Sequence, residues 1–73
     1  MATLEDQQLV FRFIVRFLVK HRYSPTWKEI GKGVYMSNAK IMRVTGELRG
    51  RGLIDFQDAK SRTIVVCNPD EVV

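Results

Sequence analysis

The 73-residue sequence predicts a small α+β domain: three helices followed by a two-stranded β-hairpin. Three observations predict it. Apolar residues recur at helical spacing along residues 4–21 and again at Ile41, Val44 and Leu48. Two helix-start signatures, Thr26-Trp27-Lys28-Glu29 and Ser37, separate a short middle helix from a longer third one. Two β-rich runs, 53–57 and 63–67, flank the polar or small residues 58–62. Residues 1–73 read as one domain, ordered over about 3–68 and frayed beyond, because the length leaves no room for a second core.

The first helix is expected from Leu4 to His21. Thr3 supplies an N-cap oxygen with Asp6 three residues on, and Glu5 and Asp6 favour the positive helix end. Lys20, His21 and Arg22 favour the negative end, and Tyr23-Ser24-Pro25 stops the helix because a residue before proline is pushed out of the helical region. The second helix opens on the capping box formed by Thr26 and Glu29, and Ile30 and Val34 are its apolar contacts. Gly31 and Gly33 lower its helix propensity, so it should end near Val34-Tyr35-Met36. Ser37 caps a third helix that runs to about Arg51, with Gly52 as the residue that ends it. The run 53–57, a turn at 58–62 and the run 63–67 complete the hairpin.

Composition narrows the function classes. The single cysteine, Cys67, excludes an internal disulfide, and with one histidine it leaves no cluster for a zinc site. No phosphate loop, paired carboxylates or serine with a base partner is present, so neither catalysis nor a metal or cofactor is expected. His21 reads as a helix-end cation, and Cys67 as a small buried strand residue. Trp27 and Tyr35 read first as packing residues, with a phosphate or partner contact as the alternative. The opening Met1-Ala2-Thr3-Leu4-Glu5-Asp6 lacks the basic segment of a signal peptide. The apolar stretch 9–19 is too short, and too interrupted by Arg12, Arg16 and Lys20, to span a bilayer. The expected location is therefore the cytoplasm, on the nucleoid in a bacterial, archaeal or phage setting.

Twelve Lys and Arg stand against eight Asp and Glu, which favours a polyanionic partner. The bias is local. Lys28, Lys32, Lys40, Arg43, Arg49, Arg51, Lys60 and Arg62 lie between Trp27 and Arg62, while Glu5, Asp6, Asp70 and Glu71 load the chain ends with acid. Helix, short helix, tight turn, helix and hairpin is the order of a winged helix-turn-helix, whose helix after the turn enters a major groove.

Residues 7–30 resemble the start of the DNA-binding domain of LexA-type repressors, from Gln7-Gln8 through Tyr23-Ser24-Pro25-Thr26 to Glu29-Ile30. Gly52-Leu53-Ile54 and Lys60-Ser61-Arg62-Thr63-Ile64 resemble that family's helix end and wing, and the likeness covers roughly residues 4–66. Three departures accompany it. The turn between helices two and three is about two residues shorter. In helix three only Asn38-Ala39 match base-reading positions. Nothing resembles the self-cleaving serine/lysine domain that follows in such repressors. The resemblance thus implies a fold and a double-stranded DNA ligand, not a self-cleaving switch.

With Ile41, Val44 and Leu48 inward, Ala39, Met42, Arg43, Gly46 and Gly50 face outward, flanked by Lys40 and Glu47. The expected DNA-binding residues are Lys28, Ser37, Asn38, Ala39, Lys40, Met42 and Arg43, with Lys60, Ser61 and Arg62 in the wing. Arg43 leads as base reader, since arginine to guanine is the commonest specific contact. Helix one is apolar around most of its circumference. Val10, Ile14, Phe17 and Phe13 are expected to fill the core, leaving Phe11, Val15, Leu18 and Val19 as an outer patch that joins a homodimer or receives a protein partner. Leu9, Val15 and Val19 stand where the similar repressors tend to carry charges.

Three function classes follow. The first is a repressor-like DNA-binding regulator, with helix 37–51 in the major groove and wing 58–62 on the backbone or minor groove. The second is a protein-interaction module or inhibitor that keeps the fold without binding DNA, a reading that Glu47, Asp55, Phe56 and Asp58 near the expected DNA side favour. The third is a replication or partition factor on arrays of sites.

Overall fold

The computed structural model describes residues 3–58, 60 and 62–67; the expected frayed tail from Asn68 onward lies outside them. Helix α1 spans Leu4–His21. Thr3 caps it, its Oγ1 accepting from the Asp6 amide at 3.1 Å, and Arg22 ends it in the left-handed region at φ 66°. Helix α2, Trp27–Val34, begins with both halves of the capping box: Thr26 N–H donates to Glu29 Oε1 at 2.8 Å, and Glu29 N–H to Thr26 Oγ1 at 3.1 Å. Helix α3, Asn38–Gly50, starts on Ser37, whose Oγ accepts from the Lys40 amide at 3.2 Å. It closes through Gly52 at φ 77°, where the Leu53 amide reaches back to the Leu48 carbonyl at 3.1 Å. A residue with a Cβ resists that backbone conformation, which is why glycine ends this helix.

Strands β1 (Ile54–Asp55) and β2 (Val65–Val66) pair antiparallel, Ile54 opposite Val66 and Asp55 opposite Val65. The ladder is shorter than the expected five-residue runs because side chains occupy the amides a longer ladder would use. Asp55 Oδ1 accepts from the Phe56 amide at 2.8 Å, and Thr63 Oγ1 from the Gln57 amide at 3.0 Å. Past β2, the Cys67 amide donates to Leu53 O at 2.9 Å and its side chain is exposed, where sequence alone suggested a buried strand position.

The core joins Val10, Phe11 and Ile14 of α1 to Ile30 of α2, Ile41, Val44 and Leu48 of α3, and Leu53, Ile54 and Ile64 of the hairpin. Thr45 is also fully buried, which its hydroxyl tolerates by donating to the Ile41 carbonyl at 2.7 Å. The expected division of α1 is corrected here. Phe11 is 4% exposed and belongs to the core, so it offers no outer surface. Val15 and Leu18 are partly buried against that core, and only Val19 of the four expected patch residues stands out, at 71%. Phe17 is half-buried in an aromatic row instead, 5.9 Å from Phe13 and 5.7 Å from Tyr23 between ring centres. The reason is that α1 packs on both α2 and α3. Its apolar arc is wide because two neighbours share it.

Gly33 permits the α1–α2 approach. A β-carbon there would overlap Phe13 Cε2 outright and come within 2.6 and 2.7 Å of Cζ and Cδ2. The glycine that costs α2 helix propensity thus lets the Phe13 ring lie directly on its backbone.

Candidate nucleic-acid interface

The outward side of α3 is as the periodicity implies: Asn38, Ala39, Lys40, Met42, Arg43, Gly46 and Gly50 are exposed. Their charges are not equally free. Lys40 Nζ sits 3.2 Å from Asp6 Oδ2, Arg49 contacts Asp55 and Asp58 at 3.1 Å each, and Arg51 donates to Gln7 Oε1 at 2.7 Å. Slight burial opposes the Asp6 charge, but the Lys40 and Thr3 hydrogen bonds outweigh it and hold that carboxyl below its ordinary range. Arg43 is exposed and has no such partner among the described residues.

Beside the start of α3, Trp27, Lys28, Gly31, Lys32, Met36 and Asn38 line a shallow open groove of about 410 Å³. Lys28 and Lys32 are exposed and unpaired among the described residues. Ser37 is committed as a cap through one lone pair, which leaves its hydroxyl proton to donate. Tyr35, expected to pack, is instead 94% exposed in the turn. Its aromatic character suggested burial, and only the turn geometry shows otherwise.

The hairpin is held from both sides. On one, the Arg49 guanidinium lies 4.6 Å from the centre of the Phe56 ring while contacting Asp55 and Asp58, and Trp27 meets Phe56 edge-on at 5.0 Å. On the other, Arg62 turns back onto the body. Its Nη1 donates to Ser24 O at 3.0 Å, both terminal nitrogens reach Glu29 at 3.2 and 3.3 Å, and its guanidinium lies 4.7 Å from the centre of the Tyr23 ring. Sequence reasoning placed Arg62 at a free wing tip. The structure engages it at the α1–α2 corner through Ser24, Glu29 and the Tyr23 ring, from a left-handed backbone at φ 56°. Lys60 remains exposed, and Ser61 lies outside the described residues.

Glu29 ties the corner to the wing. Its carboxyl is held below its ordinary value first by the Thr26 amide, against slight burial, and then by Arg62. A group whose folded-state pKa is lowered contributes stability above its unfolded value, here 4.5, and loses it as pH falls through the folded value. The thermal midpoint is therefore expected to drop on acidification below about pH 4.5. Glu29→Gln keeps a capping side chain but not the charge. It should unfold earlier at neutral pH and show a flatter acid limb. Acid limbs of equal steepness in the two proteins would remove this role for Glu29.

Among the described residues no three His, Cys, Asp or Glu gather to hold a metal ion, and no helix is long and apolar enough to cross a membrane. The LexA DNA-binding domain family matches residues 1–63. The LexA repressor of Koribacter versatilis (strain Ellin345) is 30% identical over 69 residues, which cover 93% of this chain and 33% of that protein. The chain thus spans about a third of the length of the curated relative it matches. The matched region corresponds to the DNA-binding part of such repressors, which is not an enzyme. With the family's pattern running through all three helices and into the hairpin, the chain belongs to the LexA DNA-binding domain family, a winged helix-turn-helix DNA-binding module.

Proposed function

We propose that this domain acts as a sequence-specific, repressor-like regulator on double-stranded DNA. Helix 37–51 lies in the major groove, and wing 58–62 rests Lys60 and Ser61 on the backbone or minor groove. Arg43 carries the reading. It is the cation of α3 that no acid or amide of the described fold engages, on the side of that helix that the core leaves bare. Asn38, Ala39 and Met42 share that side and offer base-edge and thymine-methyl contacts, while Lys28, Ser37 and Lys40 reach phosphates.

The acids that favoured an interaction module lose weight in this setting. Asp55 and Asp58 face Arg49, and the Glu47 carboxylate accepts from Gln7 Nε2 at 3.0 Å. Two copies on an inverted repeat belong to the same proposal, with Leu4, Leu9 and Val19 as the exposed large apolar residues of α1 available to join them.

The deciding experiment is fluorescence-anisotropy titration of a random and an own-promoter duplex across a salt series, on protein sized by light scattering. Tighter own-promoter binding with a steep negative salt slope is the expected result. Lys60→Ala should weaken both duplexes alike and reduce the slope by about one. Absence of binding to either duplex at low salt refutes the proposal and returns the interaction module as the reading.

A further inference from the structure

The side chain of Tyr35 does nothing for the fold. It stands in the three-residue turn between α2 and α3 with φ 57°, a left-handed backbone that any residue with a Cβ resists and that glycine adopts freely. Only its main chain is used, the amide donating to the Gly31 carbonyl to close α2. Its ring is the most exposed large hydrophobic side chain among the described residues. Arg62 adopts the same backbone region, and its contacts with Ser24, Glu29 and Tyr23 offset that strain. Tyr35 has no comparable contact. Arg22 closes α1 with the same left-handed backbone, so it is the almost fully exposed aromatic ring, rather than the strain, that points to a partner outside the fold.

Its position says which partner. Lys28 and Lys32 lie one turn apart on the exposed side of α2, and Tyr35 follows just past the end of that helix, also exposed. Lys28 and Lys32 line the groove with Met36 and Asn38, at the mouth of the candidate recognition helix. Two ammonium groups and a phenol close together along this edge suit a sugar-phosphate strand. Tyrosine hydroxyls donate to phosphate oxygens, and the ring covers a deoxyribose. Resting on the DNA-binding reading above, we infer that Tyr35 is a DNA-contacting residue that holds the backbone strand followed by Lys28 and Lys32. The contact is to backbone, so it acts on all sequences alike. The phenol is neutral, so it leaves the salt slope unchanged.

The test pairs two measurements on the full chain: thermal unfolding, and anisotropy titration of the random and own-promoter duplexes across the salt series. Tyr35→Gly is expected to unfold at or above the wild-type temperature. It should bind both duplexes about tenfold more weakly, as for loss of a hydrogen bond to a charged group, with the slope intact. Tyr35→Phe, which keeps the ring, should fall between the two. Wild-type affinity in Tyr35→Gly overturns the inference. A lower unfolding temperature overturns its premise, since the ring would then support the fold. A wild-type protein that binds neither duplex defeats the DNA reading itself, and the inference falls with it.

Discussion

Ile41→Ala is expected to remove roughly 2–5 kcal/mol of stability, the range for truncating a fully buried aliphatic side chain whose cavity only partly collapses. A domain of this length has roughly 4–11 kcal/mol in total, so the loss places a large share of the protein at or past its unfolding threshold. Ile41 has little freedom to be replaced by a neighbour. Its Cγ1 lies 3.9 Å from the point where a β-carbon on Gly31 would stand, an ordinary packing distance, so it lies against α2 beside that glycine. Its own backbone carbonyl accepts from the buried Thr45 hydroxyl, within the same helix. Met42, one residue on and 52% exposed, provides the control, and Met42→Ala should change stability by no more than about 0.5 kcal/mol. Urea titration of the three proteins measures both effects. A loss below about 1 kcal/mol at Ile41 would mean that the α2–α3 seam repacks, contrary to the close fit described here.

Arg43→Ala is expected to act on binding and not on folding. Losing a bidentate arginine-to-guanine contact costs about 1–3 kcal/mol on the preferred sequence and almost nothing on random DNA. Stability should move by less than about 0.5 kcal/mol, because the side chain is exposed and pairs with no described residue. The neighbouring cations predict a different pattern. Removing Arg49 frees Asp55 and Asp58 and uncovers Phe56, so its effect appears first in the seating of the wing. Competition titrations against a set of single-base operator variants separate the cases. Equal weakening on preferred and random duplexes assigns Arg43 to the phosphates and transfers base reading to Asn38 and its neighbours.

Much of the architecture is legible along the chain because it is local chemistry. The caps at Thr3, Thr26 and Ser37 each depend on an oxygen and an amide three residues apart, a distance that only helical geometry sets. The same holds for Gly52 at the end of α3 and for the inward triplet Ile41, Val44 and Leu48. The exposed side of α3 follows from that triplet by rotation alone, which is why the exposed position of Arg43 is legible before any coordinates.

The misreadings share a cause. The sequence displays how many apolar residues α1 has, but the arc that a helix buries depends on how many neighbours flank it. Two helices flank α1, so Phe11 is drawn into the core and, of the expected outer patch, only Val19 stays fully exposed. Arg62 lies 33 residues from Glu29 and 38 from Ser24, and no periodicity links positions so far apart. Its charge announces a DNA contact, and the fold engages it at the α1–α2 corner instead. Tyr35 errs in the opposite direction, an aromatic that packing rules send inward and turn geometry leaves in solvent. The helices and their caps follow from interactions within four residues, and the hairpin from two runs close in sequence. Which charges are free, which aromatics are buried and where the wing is seated depend on contacts the chain makes only by closing on itself.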